Sequence, residues 1–278
     1  MGRIERTFEK LSQQGRTALM PYLTMGYPAR DSALDLVPAI AEAGADLIEL
    51  GVPFSDPLAD GATIQASSQR ALANGMTLEL CLDQADALRA RGVRLPSVLM
   101  GYYNPILQLG IERFARRAAA AGIDGTIVPD LPPEESDELH DALRSHGIDL
   151  IFLLAPTTGD ARVRDIAARA SGYLYLVSLV GVTGARNRLP PELESFVARV
   201  RAISDLPLAV GFGIGSPAQA ARVARVADGV IVGSALIRAI GGGDDPVATA
   251  RAFVASLREG IDARGTTHDR LGTTARDS

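Results

Sequence analysis

The chain has few of the side chains on which several kinds of catalysis and cross-linking depend. Among its 278 residues there is one cysteine, Cys81, so no disulfide can form within the chain, which is typical of the reducing cytosol. Lys10 is the only lysine and precedes the first predicted strand, which argues against a Schiff-base mechanism on a strand end. The histidines, His140, His146 and His268, do not cluster at a strand end and predict no catalytic zinc.

Long apolar runs and an excess of positive charge are also missing. No run approaches the roughly 18 residues that a membrane-spanning helix needs. Residues 1–10 alternate in charge and do not resemble a signal peptide. The net charge of −5 argues against a surface that binds nucleic acid. These features predict a cytoplasmic protein with no membrane or nucleic-acid partner.

What the sequence does contain is a regular alternation of short apolar runs and longer amphipathic segments, which predicts parallel βαβ units. Strands are predicted at 18–24, 46–52, 96–101, 124–129, 148–154, 173–179, 207–212 and 228–233. Helices are predicted at 3–14, 31–43, 62–73, 77–91, 110–121, 133–146, 160–170, 190–203, 216–225 and 245–259.

Eight such units within about 250 residues favour a closed (β/α)8 barrel, or TIM barrel, of the α/β class over an open sheet. The first helix is an addition at the N-terminus. No linker divides the chain, so residues 1–259 are predicted to form a single barrel domain. Residues 260–278 are polar and rich in Gly, Thr and Arg, and are predicted to be a disordered tail.

One acidic residue, Glu49, stands in an otherwise apolar predicted strand. Strands of a parallel sheet are usually apolar throughout, because both of their faces are covered. A structural ion pair would also explain Glu49, but the predicted strands contain no Lys or Arg, so its partner would have to come from a loop. Without a partner, burial raises the pKa of the carboxyl group toward the range that suits a general acid–base catalyst. These observations favour a catalytic role for Glu49 over a structural ion pair.

Two further carboxylates follow in the loop PFSDPLADG, residues 53–61. Asp56 precedes Pro57, an ordinary turn pair. Asp60 precedes the predicted helix 62–73, and aspartate is a preferred N-cap residue. Spacing alone therefore favours a cap slightly over a catalytic role for Asp60.

Glycine-rich loops follow the last three predicted strands: GVTG at 181–184, GFGIGS at 211–216 and GS at 233–234. Barrels of this class often bind phosphate on the loops after their last two strands, where backbone N–H groups are exposed. Tight turns would explain any one of these loops, but all three together favour phosphate. The G-x-G-x-G run is not a dinucleotide fingerprint, because position 216 is serine. Cys81 lies in a helical segment and is predicted to pack in the core rather than act as a nucleophile. Since no catalytic lysine, zinc or cysteine is predicted, a lyase or isomerase built on this chain would have to work by acid–base chemistry.

Several motifs together resemble the tryptophan synthase alpha subunit. They are ELGVPFSDPLADG at 49–61, MGYYNPI at 100–106, VPDLPPEES at 128–136, GVTGAR at 181–186 and GFGI at 211–214. The resemblance implies cleavage of indole-3-glycerol phosphate to indole and glyceraldehyde 3-phosphate. It also implies transfer of the indole to a beta subunit in an alpha2-beta2 complex. It implies no cofactor in this chain, with pyridoxal phosphate in the partner.

The resemblance also assigns residues. It makes Glu49 the acid–base carboxylate and Asp60 the acceptor for the indole N–H, against the cap that spacing favours, and places Tyr175 near Glu49. The implied substrate-binding residues are Tyr22, Ile64, Met100, Tyr102, Ile127, Leu153, Thr183 and Phe212. The implied phosphate-binding residues are Gly184, Gly213, Gly233 and Ser234.

Four positions depart from the pattern of many relatives: Met25, Ala62, Leu179 and Val180. None of them is a proposed catalytic group. Two alternatives remain open at the level of sequence. One is another phosphosugar-binding barrel isomerase, which would share the glycine loops without needing acids at both 49 and 60. The other is a non-catalytic regulatory subunit.

Overall fold

The computed structural model of the chain describes residues 2–177, 192–211 and 213–263. Within these ranges the chain forms a ring of parallel strands surrounded by helices. The strands are β1 (Ala18–Thr24), β2 (Ile48–Gly51), β3 (Ser97–Met100), β4 (Gly125–Ile127), β5 (Asp149–Ile151), β6 (Leu153–Leu154), β7 (Leu174–Val177), β8 (Leu208–Gly211) and β9 (Gly229–Val232).

Pairing between the strands closes the ring. The order is β5-β4-β3-β2-β1-β9-β8-β7-β6, and every pair is parallel. β5 and β6 are two parts of one extended segment, separated only by Phe152, with β5 paired to β4 and β6 to β7. The nine strands therefore fill the eight positions of a (β/α)8 barrel, and the predicted fold is confirmed.

In the described ranges α1 precedes the first strand, α11 and α12 follow the last, and the other helices lie between successive strands in the sequence. They are α1 (Arg3–Gln13), α2 (Ala33–Glu42), α3 (Ala62–Ala73), α4 (Leu78–Ala90), α5 (Tyr103–Leu109), α6 (Ile111–Ala120), α7 (Asp137–Ser145), α8 (Asp160–Arg169), α9 (Leu193–Arg201), α10 (Pro217–Val223), α11 (Ser234–Gly242) and α12 (Pro246–Asp262). A 3-10 turn, Pro133–Glu135, precedes α7. None of these helices combines the length and the apolar character that crossing a bilayer requires.

Three helical details differ from the sequence prediction. The helices α5 and α11 were not predicted, because the first is only seven residues long and the second ends in a run of glycines. The predicted helix 133–146 is split into the 3-10 turn and α7. The last helix continues past the predicted domain boundary at 259 to Asp262.

The interior of the barrel is a core of its own, separate from the core between the strands and the surrounding helices. Strand side chains alternate between the two, since successive residues point to opposite faces. Ile4, Phe8 and Leu11 of α1 join the interior core, and Arg3 binds Asp124 just before β4, so α1 closes the amino-terminal end of the barrel. The residues of the interior core on the strands, or directly preceding a strand, include Met20, Leu47, Val98, Ile127, Ile151, Tyr173, Tyr175, Ala209 and Ile231.

Candidate active site

Glu49 lies in β2 and is fully buried. Burial raises the pKa of its carboxyl group to about 8, although a hydrogen bond from Tyr173 opposes the shift. The Tyr173 hydroxyl donates to Oε1 at 2.8 Å, while Oε2 has no hydrogen-bond partner among the described residues. A buried carboxyl group of raised pKa with one oxygen unoccupied can hold a proton and pass it to a ligand.

Tyr173 was missed by the sequence reasoning, which chose Tyr175 as the tyrosine beside Glu49. Both residues belong to the interior core and lie on the same face of the chain, two residues apart. The Tyr173 ring packs against Phe8 of α1 with ring centroids 5.8 Å apart, and its hydroxyl reaches Glu49. Helix α1, which closes the barrel, thus supports the tyrosine that donates a hydrogen bond to Glu49. The signal that could have identified Tyr173 is its two-residue spacing from Tyr175, which places both side chains on the same face of an extended chain.

Tyr22 and Tyr175 lie in the electrostatic field of both carboxyl groups. Burial is the main cause of the raised pKa of each hydroxyl, and the nearest carboxyl group adds to it: Asp60 for Tyr22 and Glu49 for Tyr175. Each hydroxyl needs a glycine beside it. A Cβ at Gly51 would lie 2.0 Å from the Tyr22 hydroxyl, and one at Gly211 would lie 2.2 Å from that of Tyr175.

Asp60 lies in the loop between β2 and α3, and its carboxylate does not cap the helix. The N-cap is Gly61, with no side-chain cap bond from a described residue, so the cap that spacing favoured is wrong. The Tyr102 hydroxyl instead donates to Asp60 Oδ2 at 3.2 Å and accepts from the Ala59 N–H at 3.0 Å. Burial raises the pKa of Asp60 to about 6 against the lowering effect of Tyr102. Phe54 stacks on the Tyr102 ring at 5.0 Å.

Apolar side chains surround these polar groups. Tyr22, Ile64 and Ile237 form a small buried cluster, and Met100 packs against both this cluster and the interior core. Ile127 and Leu153 also contact the interior core. The residues that the resemblance placed around an indole ring, where described, therefore line the inside of the barrel or its carboxyl-end loops.

The two described loops that are predicted to bind phosphate lie next to each other. Gly213 follows β8 with a φ of +74°, and Gly233 is the N-cap of α11, which Ser234 begins. A Cβ at Gly215 would lie 3.3 Å from the Ala235 Cβ, so the loop after β8 adjoins the first turn of α11. No side chain in the described ranges caps α11. The N–H groups of its first turn are suited to an anion.

Some of the predicted positions lie outside the described residues: Thr183, Gly184, Phe212, Leu179 and Val180. Of the other departures from the family pattern, Met25 is fully buried in the outer core and Ala62 is the first residue of α3.

The described part of the site contains no side-chain cluster of a kind that holds metals. In the ranges that the structure describes, no group of three or more His, Cys, Asp or Glu could hold an ion. Cys81 is buried in α4, and burial raises the pKa of its thiol, so the residue has a packing role. His140 and His146 are partly exposed, near Asp141 and Glu112 respectively.

Comparison with known proteins decides among the possible readings of this geometry. The sequence matches the family model of the tryptophan synthase alpha chain over residues 8–262. The chain belongs to the tryptophan synthase alpha chain family. The tryptophan synthase alpha chain of Roseiflexus sp. (strain RS-1) is 60% identical over 260 residues, which cover 93% of this chain and 100% of the relative. That of Chloroflexus aggregans is 58% identical over 237 residues, which cover 85% of this chain and 89% of the relative.

Solved structures of the tryptophan synthase alpha chain family share the fold. The crystal structure of the alpha chain from Legionella pneumophila subsp. pneumophila has a TM-score of 0.89 at 42% identity, covering 96% of this chain and 100% of that chain. A chain of Mycobacterium tuberculosis tryptophan synthase has a TM-score of 0.87 at 40% identity, covering 94% and 98%. The family is one of indole-3-glycerol-phosphate lyases in tryptophan biosynthesis. Membership of this family does not favour the two alternatives, a phosphosugar-binding barrel isomerase and a non-catalytic regulatory subunit.

Proposed function

We propose that this chain cleaves indole-3-glycerol phosphate with Glu49 as the proton carrier and Asp60 as the acceptor for the indole N–H. The observation that carries this assignment is that the surroundings of the two carboxyl groups give them different pKa values. The pKa of Glu49 is raised to about 8 and that of Asp60 to about 6. Between these values Glu49 is mainly protonated and Asp60 mainly ionised, so the site holds an acid and an anion at neutral pH.

The reaction begins when Glu49 transfers its proton to C3 of the indole ring. Tyr173 donates to Oε1, so the proton resides on Oε2, the oxygen with no partner among the described side chains. Protonation of C3 gives an indolenine with positive charge on the ring nitrogen. The Asp60 carboxylate stabilises that charge where it develops.

Carbon–carbon cleavage follows as the proton returns. The Glu49 carboxylate takes the proton from the hydroxyl group on the side-chain carbon attached to C3. The electron pair of that O–H bond forms the aldehyde C=O, and the pair of the broken C–C bond restores the aromatic indole and neutralises the nitrogen. Glu49 ends the cycle protonated, so each step needs only acid–base chemistry.

Binding groups surround the reacting atoms. Tyr22, Ile64, Met100, Ile127 and Leu153 supply the apolar wall for the indole ring, and Tyr102 holds Asp60 in place. Tyr175 lies against Gly211 near Glu49 and narrows the site around the carbons of the substrate's glycerol phosphate side chain. Gly213, Gly233 and Ser234 bind the phosphate with backbone N–H groups and the Ser234 hydroxyl. The same proposal includes Thr183 and Phe212 in substrate binding and Gly184 in phosphate binding.

The family name implies a beta-subunit partner. We include in the proposal an alpha2-beta2 complex, pyridoxal phosphate in the beta subunit, passage of indole to that subunit, and a cytoplasmic location. The single-cysteine composition supports the location.

A direct assay tests the function. The purified chain is incubated with indole-3-glycerol phosphate, and released indole is measured with and without a tryptophan synthase beta subunit. We expect indole release that depends on the chain and increases with the partner. Failure to release indole under either condition would contradict the proposal.

The pH dependence of the reaction is expected to report both carboxyl groups. The rate constant kcat/KM should rise near pH 6, as Asp60 ionises, and fall near pH 8, as Glu49 loses its proton. In Tyr173→Phe the hydrogen bond that lowers the Glu49 pKa is gone. The alkaline limb of the profile should therefore shift to higher pH by about one unit, which is the scale of one hydrogen bond to a charged group. Initial rates across both limbs measure the shift.

Tyr175→Phe is the matched control for this experiment, because its hydroxyl is not bonded to Glu49 in the structure. It should leave the alkaline limb nearly in place, whatever it does to the maximal rate. An alkaline limb in Tyr173→Phe that coincides with wild type would show that Tyr173 does not control the ionisation of Glu49.

Phosphate binding at α11 is tested by Ser234→Asp. A carboxylate in the first turn suits the helix dipole, so the fold should be retained. The same carboxylate repels a phosphate dianion, and at about 4 Å and an effective dielectric constant near 20 the repulsion is several kcal/mol. KM should therefore rise by at least about 10²-fold. Ser234→Asn controls for side-chain size, and equal KM values for the two variants would place the phosphate elsewhere.

A further inference from the structure

Arg238 is a cation at the rim of the site that neither the sequence reasoning nor the mechanism uses. It is the fifth residue of α11 and is exposed. Its Nη1 lies 3.4 Å from the Thr63 hydroxyl oxygen, in the first turn of α3. Arg238 forms no ion pair with any residue in the described parts of the chain.

The neighbouring residues place this contact beside the substrate pocket. Ile237 and Ile64, one position away on each helix, pack with Tyr22 in the buried cluster of the pocket wall. Arg238 and Thr63 are the adjacent, solvent-facing part of the same contact between α11 and α3. The guanidinium group therefore stands where this wall of the pocket meets solvent.

Helix geometry directs the Arg238 side chain toward the phosphate end of α11. Arg238 lies one turn, about 6 Å, from Ser234 along the helix axis, and helical side chains slope toward the N-terminus of their helix. Thr63 confirms this direction, because it is the second residue of α3 and the helices of a barrel begin at its carboxyl-end face. The charge thus lies on the catalytic face.

A cation at this place reduces the electrostatic repulsion between the protein and its anionic substrate. The chain carries a net charge of −5, and the loop at the mouth of the site contributes Asp56 and Asp60, whereas the substrate carries a phosphate dianion. Long-range repulsion of this kind slows the entry of an anion unless local positive charge outweighs it. The N-terminus of α11 supplies only a partial charge.

We propose that Arg238 guides the substrate phosphate to the first turn of α11 and adds to its binding there. The proposal rests on the proposed function, since it takes the phosphate site to be the N-terminus of α11. Arg238 acts on binding and leaves the proton transfers of Glu49 unchanged. It therefore adds to the preference of the site for a phosphorylated over an unphosphorylated ligand.

The test compares Arg238→Met with Arg164→Met. Arg164 is the fifth residue of α8, is exposed, and forms no ion pair with a described residue, so both variants change the net charge equally at the same position of a barrel helix. For Arg238→Met we expect KM for indole-3-glycerol phosphate to rise about three- to tenfold at low salt, with kcat unchanged. The difference from wild type should vanish near 1 M salt, where the Debye length is about 3 Å. Arg238→Lys should recover most of the loss.

Binding of glycerol 3-phosphate, measured by calorimetry, separates this proposal from the proposed function. Arg238→Met should weaken that binding by a similar factor, while glycerol binding and the melting temperature stay as in wild type. Equal KM and Kd values for Arg238→Met and Arg164→Met would overturn the role of Arg238. If wild type bound glycerol 3-phosphate without cleaving indole-3-glycerol phosphate, the proposed function would fail, and the calorimetric comparison would still decide the role of Arg238.

Discussion

Glu49→Gln is expected to lower the turnover of indole-3-glycerol phosphate on the order of 10²–10⁴-fold, the usual cost of losing a general acid–base group. Glutamine has nearly the same shape, and its carbonyl oxygen can still accept the hydrogen bond that Tyr173 donates to Oε1 at 2.8 Å. The amide cannot release a proton to indole C3, so chemistry fails while the site keeps its form. Single-turnover indole release measures the effect.

Ligand binding and an intact fold provide the control for this variant. Glycerol 3-phosphate should bind as in wild type, because the loops proposed to bind phosphate follow other strands. An indole release rate near that of wild type, with the fold intact, would remove Glu49 from the mechanism.

Stability should respond to the same substitution in the opposite direction. The folded-state pKa of Glu49, about 8, is above its ordinary value, so the unfolded chain releases this proton at lower pH than the folded chain does. Between the two values the unfolded state binds fewer protons, and the free energy of unfolding therefore falls as the pH rises. Glu49→Gln should abolish this loss, and its melting temperature should exceed that of wild type increasingly from weakly acidic to mildly alkaline pH.

Asp60→Asn is expected to lower kcat/KM on the order of 10²–10³-fold, the scale of removing one preorganised electrostatic contact to the transition state. The asparagine can keep the hydrogen bond from Tyr102, but a neutral amide does not offset the positive charge on the ring nitrogen. The acidic limb of the pH profile, near pH 6 in wild type, should disappear with the titrating group.

Asp56→Asn is the matched control, since it removes the same charge from the same loop four residues earlier. Asp56 is exposed and accepts a hydrogen bond from Ser55. Without the beta subunit its rate and its acidic limb should match wild type. Equal losses in Asp60→Asn and Asp56→Asn would mean that the loop needs negative charge in general, and Asp60 would lose its specific role.

Local sequence patterns determined the architecture. The alternation of apolar runs with amphipathic segments predicted all eight strand positions, because strand and helix periodicities are properties of neighbouring residues. One carboxylate in an apolar strand marked Glu49, and glycine-rich strand ends marked the loops near Gly213 and Gly233. The motif resemblance supplied the roles of Asp60 and the pocket residues.

Only the tertiary structure decided which groups meet. Glu49 and Tyr173 are 124 positions apart, and Arg238 and Thr63 are 175 apart, so no local pattern links either pair. Asp60 shows the same limit, because its spacing before α3 suggested a cap while closure of the barrel brought Tyr102 to its carboxylate. The raised pKa values of both acids follow from burial, which depends on the packing of the whole chain around them. The sequence by itself thus determined which strands and loops carry acids and glycines, and the packing of distant strands decided their partners and their protonation.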